Sequence, residues 1–136
     1  MAIEHVFTCK QCHSEAGRLT LYAPGEAIPG VPDDELRSLS AEFGNHNAGA
    51  ARLVVMSGWL EQTFFEVEAW PVLTAISAGD ARTLHSIDDE MMPFWCPTCP
   101  ATYCAEHWST WDVFDDVFFE EKRGRCPKGH ERRIVD

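Results

Sequence analysis

The sequence predicts a small α+β domain, and three features lead to that prediction. The chain has 136 residues, of which 45% are hydrophobic, which is enough for one hydrophobic core. Short segments that alternate apolar and polar residues, as strands do, are interspersed with helix-like segments that carry capping residues. Cysteine and histidine also occur in four close pairs, which are Cys9/Cys12, Cys96/Cys99, Cys104/His107 and Cys126/His130.

The N-terminal part of the chain predicts two strands and one helix. A short strand is expected over residues 5–8, leading into the turn of the first cysteine pair. The alternation over residues 18–22 is typical of an edge strand. After a loop that contains proline and glycine, an aspartate pair can cap a helix over residues 35–43.

The middle of the chain predicts a hairpin followed by two helices. Residues 52–56 and 60–67 form two strand-like runs that we expect to pair. A helix is expected over residues 72–78, with Pro71 in its first turn. A shorter helix, capped by Asp80, should follow directly.

The C-terminal part predicts a strand over residues 117–122, a turn at Arg123-Gly124 and a return strand to Cys126. Few residues remain after His130, so no further element is expected there.

The four Cys/His pairs have the spacing of metal ligands. A separation of two or three residues lets a tight turn direct two side chains at one ion. A disulfide framework gives no reason for histidine to lie so close to cysteine, and none of the six cysteines falls outside a pair. Eight thiolate and imidazole donors predict two zinc ions per chain, each with four protein ligands and therefore structural. Thiolate ligands require a reducing compartment, which predicts a cytoplasmic location.

Proline and glycine within two of the pairs indicate which ligands share an ion. Cys96-Pro97-Thr98-Cys99 and Cys126-Pro127-Lys128-Gly129-His130 resemble zinc knuckles, in which backbone N–H groups point at sulfur. Two such knuckles make a zinc ribbon. Site one is then predicted to hold Cys9, Cys12, Cys104 and His107, and site two Cys96, Cys99, Cys126 and His130. This interleaved pairing is a cross-brace.

Two further points concern the predicted ligands. A sequential pairing, Cys9/Cys12 with Cys96/Cys99, stays open as an alternative. His13 is left out because its adjacency to Cys12 would force awkward geometry.

The ligand positions predict how the chain is organised. Residues 1–136 are expected to form a single domain, with a zinc-binding part made of residues 1–17 and 94–136 and an α+β insert over residues 18–93. The turn at Cys104–His107 suits the start of a short helix, which would make site one treble-clef-like.

The spacing Cys96-x2-Cys99-x4-Cys104-x2-His107 resembles the core of cross-braced treble-clef zinc fingers of the ubiquitin system, including RING-type domains and stress-associated fingers. This resemblance implies a zinc-held adaptor. Residues 93–132 are also similar to small bacterial zinc-finger proteins of uncharacterised role, which implies a bacterial cytosolic zinc protein; this resemblance assigns no catalytic residue to the chain.

Composition argues against several classes of function. No apolar run approaches the roughly 20 residues of a membrane helix, and the N-terminus lacks the features of a signal peptide. The formal net charge of −11 repels nucleic-acid phosphates, although residues 122–133 are rich in basic side chains. We therefore expect no membrane association, and we do not expect general nucleic-acid binding.

The favoured interpretation is a non-enzymatic zinc-binding module that binds another protein. Aromatic anchors dominate protein interfaces, and rings interleaved with acidic residues follow the central ligands. The candidate rings are Trp95, Trp108, Trp111, Phe114, Phe118 and Phe119. The alternative is that these rings fill the core.

Three other functions stay open. They are a RING-like adaptor of the ubiquitin-system type, a regulatory zinc finger that contacts nucleic acid through residues 122–133, and a Cys-x2-Cys thiol oxidoreductase. A redox pair needs a thiolate of low pKa at a helix N-terminus. No phosphate loop or nucleophile elbow is present, so no catalytic residue and no small-molecule substrate are predicted.

Overall fold

The computed structural model of the protein describes residues 2–29 and 51–135. The strands are β1 (Ile3–Thr8), β2 (Glu15–Tyr22), β3 (Ala51–Ser57), β4 (Leu60–Val67), β5 (Trp95–Cys96), β6 (Ala101–Thr102), β7 (Ser109–Asp115), β8 (Phe118–Arg125) and β9 (Glu131–Val135). The helices are α1 (Ala69–Ala78) and α2 (Ala81–Ile87), followed by a 3-10 turn at Asp89–Met91. The helix predicted over residues 35–43 lies outside the described residues.

The first sheet is antiparallel, with the strand order β1-β2-β3-β4. The predicted hairpin is confirmed as β3 and β4. The expectation that residues 18–22 form an edge strand is wrong, because β2 pairs with β1 on one side and β3 on the other. Its polar residues bind β1 instead of facing solvent at an edge: Thr20 donates to Glu4 at 3.3 Å, and Arg18 pairs with the same carboxylate at 3.5 Å.

Helix α1 packs against β1 and β2 and covers one face of this sheet. Its Val72 and Ile76 are each 1% exposed and join Leu19 and Leu53, which are fully buried. The two helices predicted for the middle of the chain, over residues 72–78 and directly after Asp80, are confirmed, although α1 begins at residue 69. Gly79 ends α1 with φ 63°, and the carboxylate of Asp80 accepts the N–H of Thr83 at 3.1 Å to start α2.

The C-terminal sheet has the order β7-β8-β9 and differs from the prediction in two ways. The turn lies at Asp116, whose φ is 55°, and β8 runs straight through Gly124. A Cβ at Gly124 would lie 3.1 Å from Ile134 and 3.2 Å from Trp108. The glycine therefore makes room for packing and does not mark a turn. The expectation that no element follows His130 is also wrong, because β9 pairs with β8.

One continuous set of buried side chains joins the first sheet, the C-terminal sheet and the two-stranded β5–β6 sheet between them. It includes Leu19 from the first sheet, Ile134 from the second, and Phe94 and Tyr103 from the segment between them; all four are at most 1% exposed. The architecture is a small α+β single domain made mostly of strands. No helix among the described residues is long and apolar enough to span a membrane.

Gly17 allows the segment before β5 to press against β2, because a Cβ at this position would overlap the buried ring of Phe94. Gly17→Ala is expected to lower the free energy of unfolding by about 1–3 kcal/mol through overpacking. Urea denaturation would measure the loss.

The matched control is a double-mutant cycle with Phe94→Leu, which removes ring atoms from the overlap. The two losses should then be clearly non-additive, and the double variant should be more stable than their sum predicts. Strict additivity would show that the ring and Gly17 do not meet.

Candidate metal centres

Cys9 and Cys12 lie in the turn between β1 and β2. The N–H of Cys9 donates to the Ser14 carbonyl at 2.7 Å, and the N–H of His13 donates to the Cys9 carbonyl at 2.8 Å. His13 has a left-handed φ of 65° and is exposed, and its side chain is outside both ligand clusters. The turn is thus closed by its own backbone and presents its two sulfurs together.

The strand β6 connects this turn to the Cys104/His107 pair. Thr102 accepts the N–H of Lys10 at 2.9 Å through its carbonyl, and its hydroxyl donates to the Thr8 carbonyl at 2.6 Å. Cys104 follows two residues later. Residues separated by more than 90 positions are therefore fixed side by side by main-chain contacts as well as by their side chains.

Cys104 and His107 share a single tight turn, in which the N–H of His107 donates to the Cys104 carbonyl at 2.9 Å. The short helix expected here is not formed, because β7 begins at Ser109. Thr110, Trp111 and Val113 are residue types that favour strands, and this was the signal that the prediction missed.

The first cluster contains the four side chains predicted for site one, namely Cys9, Cys12, Cys104 and His107, and their donor atoms lie within 4.8 Å of one another. Sγ of Cys12 is 3.6 Å from Sγ of Cys104. Nδ1 of His107 lies 3.1 Å from Sγ of Cys104 and 3.4 Å from Sγ of Cys9. One imidazole nitrogen and three sulfurs thus face a common centre.

Two knuckle-like turns form the second cluster. The backbone N–H of Cys99 donates to Sγ of Cys96 at 3.4 Å, and the N–H of His130 donates to Sγ of Cys126 at 3.4 Å. Gly129 has a φ of 91°, as expected for the residue at which the chain folds back. The first turn joins β5 to β6 and the second joins β8 to β9.

The second cluster contains the four side chains predicted for site two, namely Cys96, Cys99, Cys126 and His130, again within 4.8 Å of one another. Sγ of Cys99 is 3.7 Å from Sγ of Cys126. Nδ1 of His130 is 3.1, 3.5 and 3.7 Å from the three sulfurs of Cys99, Cys126 and Cys96. The arrangement in space is interleaved along the chain and not sequential.

These contacts are not disulfides, since all six cysteines are free thiols and a bonded sulfur pair would be about 2 Å apart. Each cluster presents three thiols and an imidazole, a donor set that can hold a metal ion. Metal-free thiols would differ from one another within each cluster as well as between the clusters, because burial raises the pKa of Cys104 in the first cluster and backbone hydrogen bonds from His130 and Lys128 lower the pKa of Cys126 in the second. Hydrogen bonds from Ser14 lower the pKa of Cys12 to about 7, whereas burial raises the pKa of Cys96 to about 11.

Most of the basic residues of segment 122–133 form ion pairs or hydrogen bonds with other residues of the chain. Three surface cations pair with carboxylates: Lys122 with Asp112 at 2.8 Å, Arg123 with Glu131 at 3.1 Å, and Arg133 with Asp89 at 2.8 Å. The cluster Asp88-Asp89-Glu90 has structural contacts too, since Asp88 accepts the N–H of Glu90 and Asp89 binds Arg133.

Arg132 lies on β9, is only 8% exposed and connects β9 to residues 89–95 by hydrogen bonds. Its guanidinium donates to the Met92 and Trp95 carbonyls, each at 2.7 Å, and to the Asp89 carbonyl at 3.1 Å. Burial lowers the pKa of Arg132 to about 10, so the group is still a cation at neutral pH. This buried charge was not foreseen from the sequence, where it looked like one more surface cation.

The aromatic residues divide into a buried and an exposed group. Trp95 and Trp108 belong to the core, and the indole N–H of Trp108 donates to the carbonyls of Tyr103 and Phe94 at 3.0 and 3.3 Å. Trp111 is half-buried beneath the guanidinium of Arg125. The end of the β7–β8 hairpin, by contrast, exposes four apolar side chains that we call the tip patch: Phe114, Val117, Phe118 and Phe119. The rings of Phe114 and Phe119 pack edge to face with their centroids 6.2 Å apart, and Phe118, which pairs with Asp115, lies on the other side of the strand.

The tip patch was only partly foreseen. Its three phenylalanines were candidates from the sequence, and Val117 was missed. An apolar residue directly after the turn-forming Asp115-Asp116 was the available signal. Trp70 on α1, 77% exposed, was also missed because it precedes the segment predicted as helix.

Comparisons with known proteins place the chain in a family without a described activity. No curated protein and no solved structure matches it. A family model described as a domain of unknown function (DUF8328) matches residues 2–136. With nearly its whole length matched, and with both Cys3His clusters inside the matched region, the chain belongs to the DUF8328 family.

Proposed function

We propose that this protein is a non-enzymatic interaction module whose fold is stapled by two structural zinc ions. The ligands would be Cys9, Cys12, Cys104 and His107 in site one, and Cys96, Cys99, Cys126 and His130 in site two. The observation that carries the proposal is the convergence of each set of four donors on one point from remote parts of the chain.

The donor distances fit a tetrahedral zinc ion. Zinc bonds of about 2.3 Å to sulfur and about 2.0 Å to nitrogen give edges of about 3.8 Å between sulfurs and about 3.5 Å between sulfur and nitrogen. The sulfur–sulfur distances Cys12–Cys104 and Cys99–Cys126 are 3.6 and 3.7 Å, five of the nitrogen–sulfur distances run from 3.1 to 3.7 Å, and all donor atoms of a cluster lie within 4.8 Å of one another. Four protein ligands complete the coordination shell and leave no position for a catalytic water.

The surroundings of the cysteines favour a structural role over thiol chemistry. Cys9, Cys96, Cys104 and Cys126 are at most 6% exposed and belong to the hydrophobic core. Neither Cys-x2-Cys pair begins a helix, since one lies between β1 and β2 and the other between β5 and β6. The exposed Cys12 does have a lowered pKa, but the cause is hydrogen bonding from Ser14 and not a helix N-terminus, and its pair partner Cys9 is fully buried.

An interaction role is supported by the tip patch. Phe114, Val117, Phe118 and Phe119 are 59, 82, 75 and 48% exposed, although the core is otherwise well supplied with buried aromatic rings. Aromatic side chains that are exposed on a hairpin can serve as anchors of protein interfaces. The cytoplasmic location expected for zinc–thiolate sites remains part of this proposal.

Metal analysis tests the zinc assignment. Protein purified without chelators is expected to contain two zinc ions per chain by mass spectrometry of the metals, and its thiols should react slowly until a chelator is added. Substitution with Co²⁺ should give the visible spectrum of tetrahedral sulfur-rich sites.

Two results would contradict the zinc assignment. One is several rapidly reacting thiols in zinc-loaded protein. The other is a metal content below one ion per cluster after reconstitution. Acidification offers an independent check, because protons compete with the metal for thiolate and imidazole, so zinc should be released as the pH falls.

A further inference from the structure

The surroundings of the tip patch are strongly acidic. Asp115, Asp116 and Glu120 are exposed and lie within or directly beside the apolar residues. Among the described residues, no cation pairs with any of these three carboxylates, whereas Asp112, which lies on β7 farther from the turn, is paired with Lys122. The rim of the patch therefore carries uncompensated negative charge next to apolar surface.

This charge argues against several occupants. An anionic membrane surface or a nucleic acid would be repelled both by the rim and by the net charge of −11. A second copy of the chain docking on the same patch through a two-fold axis would place like carboxylates against one another. A segment that combines apolar side chains with lysine or arginine meets both features of the surface.

We infer that the tip patch binds a cationic–apolar segment of a partner protein, in which lysine or arginine residues flank apolar anchors. Phe118, the most exposed of the three phenylalanines, packs against the apolar anchors of the partner. The carboxylates of Asp115, Asp116 and Glu120 face the partner's cations. The inference rests on the proposed function, since it specifies the partner of the same surface. It predicts binding that weakens as the salt concentration rises.

Three synthetic peptides separate the contributions. In the first, lysine alternates with leucine and valine; the second replaces each lysine by glutamate; the third keeps lysine but replaces the apolar residues by serine. Zinc-loaded, isotope-labelled protein is titrated with each peptide at low salt while its amide NMR signals are followed. Only the first peptide should shift the signals of residues 114–120 in a saturable way.

Variants then assign the binding to the patch. Phe118→Ser should weaken the first peptide by about tenfold or more, because it removes an apolar side chain that binding would bury. Trp70→Ser is the matched control, since Trp70 is 77% exposed on α1, and its affinity should be unchanged. Both side chains are largely solvated, so both variants should fold and keep their zinc.

The charged rim is tested in the same way. A triple variant, Asp115→Asn, Asp116→Asn and Glu120→Gln, should lose most of the affinity and most of its dependence on salt. The control neutralises three exposed carboxylates elsewhere, Glu61→Gln, Glu68→Gln and Glu106→Gln, and should keep both.

The outcomes distinguish the inference from the proposed function. Equal binding of the lysine and glutamate peptides would overturn the inference that the partner is cationic, while the proposed docking function of the tip patch would stand. Equal binding of the serine peptide would overturn the apolar contribution. If no apolar peptide perturbs residues 114–120, the docking surface itself is wrong. Sedimentation with anionic vesicles, or self-association through these residues, would also overturn the inference.

Discussion

Replacing Cys104 with alanine is expected to remove one metal ion and most of the stability of the protein. The side chain is 6% exposed and faces the donors of Cys9, Cys12 and His107. A structural zinc site supplies about 10–16 kcal/mol of apparent binding free energy at neutral pH. A domain of this size is stable by only about 5–15 kcal/mol, so the loss of one site is enough to unfold much of it.

The same side chain also helps to close a long loop. Cys12 and Cys104 are separated by 92 positions, and bringing the ends of such a loop together costs about 4 kcal/mol plus a constant. The free energy of zinc binding at one cluster therefore offsets the entropic cost of closing a loop that spans most of the chain. The measurement is metal content by mass spectrometry together with thermal unfolding followed by circular dichroism.

His13→Asn is the matched control for this experiment. His13 is a potential ligand one residue from Cys12, and asparagine tolerates its left-handed backbone. Because the imidazole of His13 is outside the cluster, this variant should keep two metal ions and an unchanged midpoint. Retention of two ions by Cys104→Ala, or loss of one by His13→Asn, would show that site one is built differently.

Arg132→Met is expected to lower the free energy of unfolding by about 3–5 kcal/mol. Methionine fills part of the same space but removes three hydrogen bonds from a charged donor, and the carbonyls of Asp89 and Met92 keep only the backbone N–H groups of Met92 and Trp95. The guanidinium otherwise holds β9 against the segment that enters β5, where Cys96 lies. Chemical denaturation with metal bound measures the effect.

Arg125→Met is the control, since its side chain is 55% exposed and its ion pair with Glu131 spans 3.6 Å. Exposed pairs of this kind contribute at most about 1 kcal/mol. Similar losses for the two variants would indicate that the buried contacts of Arg132 have little energetic weight.

The donor clusters were largely foreseeable because their signals are local. A proline after the first ligand and a glycine before the last describe a turn that can be recognised within five residues, as at Cys126–His130. The grouping of the clusters followed from the likeness of the two knuckles. The prediction of a short helix after Cys104 was wrong, because the residues from Thr110 onwards favour a strand and end the turn before a helix can form.

The parts that could not be foreseen depend on distant partners. Whether β2 is central or at an edge is decided by β3, which lies beyond residues 30–50 in the chain. Gly124 has the sequence signature of a turn, yet its role is set by the approach of Trp108 and Ile134. Exposure of Phe118 and burial of Trp108 likewise follow from tertiary packing.

The interleaved order of the two clusters has a consequence for how the chain can be cut and synthesised. No contiguous fragment shorter than residues 9–107 contains all the donors of the first cluster, and the second requires residues 96–130. A growing chain would therefore acquire its first complete site only after residue 107 has left the ribosome. Conversely, a protease nick within residues 13–95 would leave two pieces still held together through the first site for as long as metal is bound.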